Sequence, residues 1–93
     1  MSVIEKDTLL KRRENVPFKK MGVDLVILDL HTGDYFSLND AAGFIWERIN
    51  GKNLLGSIAL KLARAYGISQ ERALKDTFEF AKLLIRDNLV RIT

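Results

Sequence analysis

An α+β fold, strands first and helices second, follows from three observations on this 93-residue chain. Before residue 39 apolar residues come in short runs broken by Pro and Gly. After it they recur at 3.6-residue spacing, and neither a low-complexity linker nor an internal repeat divides the two parts. Residues 1–93 are therefore read as one domain.

Thr8–Arg13 reads as a first strand, ended by Pro17 because proline cannot donate to a ladder. Lys19–Gly22 then reads as a solvated turn. Val23–Leu30 sets Val23, Leu25 and Ile27 on one face and Val26, Leu28 and Leu30 on the other, the pattern of a central strand covered on both sides. His31-Thr32-Gly33-Asp34 supplies turn chemistry, so Tyr35–Leu38 returns as the second arm of a hairpin.

Asn39 is an N-cap for a helix carrying Ala41, Phe44, Ile45 and Ile49, with Asp40 in its first turn and Gly51 ending it. A second helix, Leu54–Tyr66, buries Leu55, Ile58, Ala59, Leu62 and Ala65 and stops at Gly67. Ser69 caps a third helix reaching Asn88, whose core stripe is predicted at Leu74, Phe78, Ala81 and Ile85. Ala73, Thr77, Phe80 and Leu84 form a second band beside that stripe. Leu89–Ile92 can close back on the sheet as a short strand.

Composition bounds the function. A chain with 47% hydrophobic and 29% charged residues is an ordinary globule, and at this size one modest core leaves little room for a walled catalytic pocket. The chain has no cysteine, which removes disulfides and thiolate chemistry and fits a reducing cytoplasm. The longest apolar run, Leu25–Leu28, is far below the roughly 20 residues of a membrane span, so no membrane role is expected. The net charge of +3 comes from residues 1–20, which hold Lys6, Lys11, Arg12, Arg13, Lys19 and Lys20 against three acids. Such a basic end suits several anionic partners and chooses none.

Catalysis needs convergent groups, and no pair or triad of them stands out. His31 is the one histidine and falls in a turn; zinc would need further ligands, so neither a metal nor another cofactor is expected. Trp46 reads first as a core anchor. Asp34–Leu38 is different, because it packs two aromatics and a leucine into a strand with an obvious partner on one side only. A guest strand could join its other edge. Residues 8–13 or 90–92 could equally occupy it.

The run Leu28-Asp29-Leu30-His31-Thr32-Gly33-Asp34-Tyr35-Phe36-Ser37-Leu38-Asn39, followed by Ala42-Gly43-Phe44-Ile45-Trp46 and Ile49-Asn50-Gly51, resembles the PqqD-like family. The likeness continues through Leu62–Ile68, Asp76 and Asn88-Leu89-Val90, with Asn88 standing where the family often has glycine. It is closer to the broad group that includes lasso-peptide leader-binding proteins than to strict quinone-cofactor PqqD. The resemblance implies a winged helix-turn-helix-like domain, a three-stranded antiparallel sheet followed by three helices. It also implies a non-catalytic role: binding the leader of a ribosomally made precursor peptide and delivering it to a modifying enzyme such as a radical SAM enzyme, leader peptidase or cyclase.

By position, the implied peptide-binding residues are Asp34, Tyr35, Phe36, Ser37 and Leu38 on the strand, with Arg72, Ala73, Asp76, Phe80 and Leu83 on the third helix. A winged-helix DNA-binding protein is the competing class. The outer face of the third helix argues against it, since Arg72, Lys75, Lys82 and Arg86 alternate with Glu71, Asp76, Glu79 and Asp87 and would repel phosphates about as often as attract them. An open strand edge could also be satisfied by a second copy of the chain, giving a homodimer.

Overall fold

The computed structural model describes residues 4–93. Its elements, in chain order, are β1 (Leu9–Arg12), β2 (Phe18–Met21), β3 (Asp24–Leu28), β4 (Tyr35–Leu38), α1 (Asp40–Arg48), β5 (Asn50–Leu54), α2 (Leu55–Tyr66), α3 (Gln70–Arg86) and β6 (Val90–Ile92). The α+β expectation holds, and the strands divide into two antiparallel sheets, β2-β3-β4 and β5-β1-β6.

The first sheet is two successive hairpins around β3. Lys19–Gly22, expected as a turn, is mostly strand: β2 pairs with β3 from Phe18 opposite Ile27 to Met21 opposite Asp24. The turn itself is Gly22-Val23, with Gly22 at φ +68, the first-position glycine of a tight hairpin. Two lysines hid this strand, because all four of its residues are exposed and its order comes from pairing rather than burial. Strand β3 is central, as expected, but only one of its faces is fully covered. Leu25 and Ile27 are buried beneath α1, whereas Val26 and Leu28 are half-buried on the outer face and Val23 and Leu30 lie exposed beyond the strand ends.

The second sheet is the larger departure. Strand β1 does not join β3; it lies between β5 and β6, so the predicted first strand belongs to a different layer. Gly51, expected to end a helix, instead sits in β5 with φ +81 beside Lys11, where the β1–β5 register slips by a bulge.

The helices follow their caps. Asn39 Oδ1 accepts from Ala42 N at 2.9 Å to start α1, and Ser69 Oγ accepts from Arg72 N at 3.1 Å to start α3. Helix α2 has no side-chain cap; Leu55 N and Gly56 N donate to the carbonyls of Thr8 and Lys6, at 3.0 and 2.8 Å. Helix α3 ends at Arg86, earlier than expected. Asn88 takes φ +61, Asn88 N donates to Ile85 O and Leu89 N to Leu84 O, so asparagine does the left-handed work for which glycine is usual.

The predicted stripe on α3 is rotated. Its buried residues are Ala73, Thr77, Ala81 and Leu84, while Leu74, Phe78 and Ile85 are half-buried at the flank. Small side chains at 73, 77 and 81 let α3 lie close against α2. On α2, Ala63 is buried in place of the expected Ala65, which is exposed.

One cation joins the two halves. An Arg12 Nη donates to the carbonyls of Trp46, Glu47 and Ile49 at 3.0, 3.1 and 2.9 Å, satisfying the C-terminal end of α1 from strand β1. Burial holds the guanidinium below its ordinary pKa, with Glu47 opposing. Arg12→Met keeps much of the stem packing and strips the donors. It should cost on the order of 2 kcal/mol in urea unfolding, since hydrogen bonds to a charged group are worth about 1.5–3 kcal/mol.

Candidate functional site

Strand β4 ends the first sheet, and its ladder determines which backbone groups face outward. Asp29 N donates to Asp34 O at 2.8 Å, so with antiparallel alternation Phe36 and Leu38 bond to β3 while the N–H and C=O of Tyr35 and Ser37 point away from it. Neither β1 nor β6 covers this edge, because those strands pair with each other. Side chains alternate as predicted. Phe36 is half-buried and Leu38 buried on the helix side, while Tyr35 (71% exposed) and Ser37 face solvent. Asp34, at the turn, is exposed.

Where β4 runs into α1, a cavity of about 410 Å³ opens among Asn39, Ala42, Ile45, Leu62, Ile68 and Phe80, with Tyr66, Arg72 and Asp76 also in its wall. Three helices contribute to this lining. Most of its lining is apolar, with Asn39, Tyr66, Arg72 and Asp76 supplying polar groups, a composition that can accept an apolar side chain and orient the chain around it. Arg72 and Asp76 form an ion pair at 3.6 Å with both side chains substantially exposed. Such a pair adds little stability, so both groups are open to a ligand.

Of the implied helix residues, Arg72, Asp76 and Phe80 line the cavity, and Leu83, 46% exposed, continues the same flank toward the helix end. Ala73 does not belong there. It is fully buried, with 0% exposure, so it supports α3 from inside and offers nothing to a ligand. Ile45 and Leu62 read as core in the sequence, and both are buried core residues that also reach the cavity; Ile68, between the Gly67 stop and the Ser69 cap, is given no role by its residue type. Only Ile68, carried just past the Gly67 cap, gave a signal that it would stand at a helix junction.

Tyr66 ties the wall together. Its hydroxyl donates to Asp40 Oδ2 at 2.8 Å, and its ring meets Phe44 edge-on at 5.7 Å, with Arg48 3.4 Å above the Phe44 ring. The far end of β4 is polar. There Asp29, buried, accepts from Asn15 Nδ2 at 3.1 Å and His31 N at 2.9 Å, shaping the turn and an open hollow of about 520 Å³ lined also by Arg13, Thr32, Asp87 and Asn88. His31 is exposed, and among the described residues no cluster of metal-ligating side chains forms. A wider hollow of about 640 Å³ lies on the Leu74 side of α3, away from Asp76. Trp46 is wholly buried, a core residue and not a ligand contact.

A three-stranded sheet ending in β4, with three helices following it, defines the class: a winged-helix-like domain. The chain belongs to the PqqD family, since the model described as coenzyme PQQ synthesis protein D matches residues 24–90. Two solved structures are similar in fold. One, described as TbiB1 in complex with the TbiA(beta) leader peptide, is 22% identical with TM-score 0.80, covering 87% of this chain and 94% of that one. The other, lasso peptide synthetase B1 complexed with the leader peptide, is 22% identical with TM-score 0.79, covering 88% and 96%. No curated protein matches the sequence. No described helix is long and apolar enough to cross a membrane.

Burial, the hydrogen bond to Asp40 and that carboxylate's charge raise the Tyr66 phenol above its ordinary pKa, with Arg48 opposing. A raised folded-state value means that this contribution to stability is complete below about pH 10, the unfolded tyrosine value, and is lost as pH climbs through the Tyr66 value. The phenolate absorbance difference between wild type and Tyr66→Phe should therefore have its midpoint above about pH 10. The variant should also lose less stability across that range.

Proposed function

We propose that the chain binds the leader region of a ribosomally synthesised precursor peptide as an added strand on β4. The observation that carries this is the row of outward backbone groups at Tyr35 and Ser37, with a cavity lined by Phe80 opening at Asn39, the residue that follows β4. Backbone hydrogen bonds supply affinity for any extended chain, and the cavity supplies selectivity by taking one apolar side chain of the guest. Arg72 and Asp76 meet polar atoms of the guest at the rim. Tyr35, Phe36, Ser37 and Leu38, with Asp34 at the entry, form the strand side, and Leu83 extends the helix side.

The two similar structures are described as leader-peptide complexes, which supports the same class of ligand here. On this reading the chain acts in the cytoplasm as one recognition unit without chemistry of its own. It hands the precursor to a separate modifying enzyme, a radical SAM enzyme, a leader peptidase or a cyclase. A homodimer through β4 would compete with the leader for the same edge.

Titrating isotope-labelled protein with the leader encoded beside its gene tests the reading. Shifts should centre on residues 34–38 and 72–83, and shifts confined elsewhere would overturn the site. Ser37→Pro removes an outward donor without touching the ladder to β3, as proline is tolerated on edges; Phe80→Ala deletes an aromatic wall. Each should weaken binding about tenfold or more, a loss of about 1.4 kcal/mol per decade.

A further inference from the structure

The first sheet has a second edge, and its chemistry is opposite to that of β4. Leu28 N donates to Pro17 O at 2.9 Å, so by the same alternation Lys19 and Met21 bond to β3 while the N–H and C=O of Phe18 and Lys20 point outward. Neither residue's backbone makes a further hydrogen bond among the described residues. Every residue of β2 is exposed, and its last residue Met21 and Val23 in the turn are 61% and 72% exposed.

The side chains around this edge are cationic. Lys19 lies on the outer face, Lys20 on the α1 side makes only a 3.8 Å contact with Glu47 Oε1, and the Arg12 guanidinium sits 5.0 Å from the Phe18 ring. Strand β2 carries no acid. Strand β4 carries no base, and Asp34 and Asp40 flank it. A strand laid beside β2 with acids at alternate positions would set carboxylates against Lys19 or Lys20 and still complete the backbone ladder. A second copy of this chain fits badly, because β2 against β2 brings lysine against lysine. A membrane surface gains about 1 kcal/mol per lysine and gives the backbone groups nothing.

We infer that the β2 edge is a docking site for an extended acidic segment of a second protein, added as a strand on the side of the sheet opposite the β4 edge. With both edges filled, the two guests lie about 19 Å apart, four strand spacings, within one five-stranded sheet. Occupancy of one edge does not exclude the other. The sheet then physically couples whatever lies along β4 to a partner protein.

The test uses the labelled full chain and a blocked heptapeptide alternating glutamate with valine, beside its lysine counterpart. The glutamate peptide should move the amides of residues 18–23 saturably and leave 34–38 in place, and the lysine peptide should not. Lys19→Glu with Lys20→Glu, and separately Lys20→Pro, should each weaken glutamate-peptide binding about tenfold with the melting temperature retained. Either variant should leave titrations that report on residues 34–38 unchanged. The inference is overturned if the lysine peptide binds equally, if the shifts fall on 34–38, or if no saturable shift occurs. It also fails if Lys20→Pro binds like wild type, which would reduce the effect to charge attraction without strand addition. Phosphatidylglycerol vesicles or duplex DNA moving residues 18–23 while the glutamate peptide does not would overturn it as well. Since the leader titration reads a different edge, either proposal can fail alone.

Discussion

Helix α1 rests on the first sheet at glycine distance, and the arrangement of the molecule depends on that contact. A Cβ on Gly43 would stand 3.3 Å from Leu25 Cβ, tighter than ordinary contact, so even alanine there would require Leu25 or the helix to give by a few tenths of an ångström. At this separation Trp46 sinks fully into the core with the Phe18 ring edge-on at 5.8 Å, and Arg12 can reach the helix's last carbonyls from the second sheet. The cap Asn39 follows Leu38 directly, which fixes β4 against the start of α1. A single helix of nine residues can cover one face of three short strands and no more. The outer face and both edges are left to solvent.

The cavity is a consequence of how the remaining helices are held. Helix α3 packs mainly on α2 and buries the small residues Ala73, Thr77 and Ala81, and its C-terminal turn is fastened by the backbone bonds of Asn88 and Leu89 just before β6. These attachments draw α3 toward α2 and the second sheet. Phe80 lines the gap that results, together with Ile68 just past the Gly67 cap. The space beside β4 is therefore built by packing elsewhere.

Elements marked by local chemistry were legible in the sequence. The Asn39 and Ser69 caps, the His31–Asp34 turn and the Gly67 stop each act within a few residues, and each stands where the sequence places it. Strands β2 and β5 were not legible, since Phe-Lys-Lys-Met and Asn-Gly-Lys-Asn-Leu have no apolar alternation and are strands only because β3 and β1 supply partners. The second sheet was hidden for the same reason. The strand half of the site could be read because β4 had one evident neighbour; the cavity could not, because Ile45, Leu62 and Ile68 meet only in three dimensions. Ala73 was carried over by position without regard to side-chain size, and so small a residue is wholly buried in the packed face of α3.

Two open edges on a three-stranded sheet are ordinarily a hazard, because identical chains can pair through them. Here the edges differ enough to resist that outcome. Pairing β2 with β2 opposes lysines, and pairing β4 with β4 brings Asp34 and Asp40 of each copy toward the other's. The remaining head-to-tail pairing, β2 of one chain to β4 of the next, satisfies the charges but does not close by two-fold symmetry and would propagate as a filament. Filling either edge with a guest blocks that route. The same charge separation that sorts one guest from another is thus also what makes their binding protective, since a chain with one edge occupied can no longer sit in the middle of such a filament.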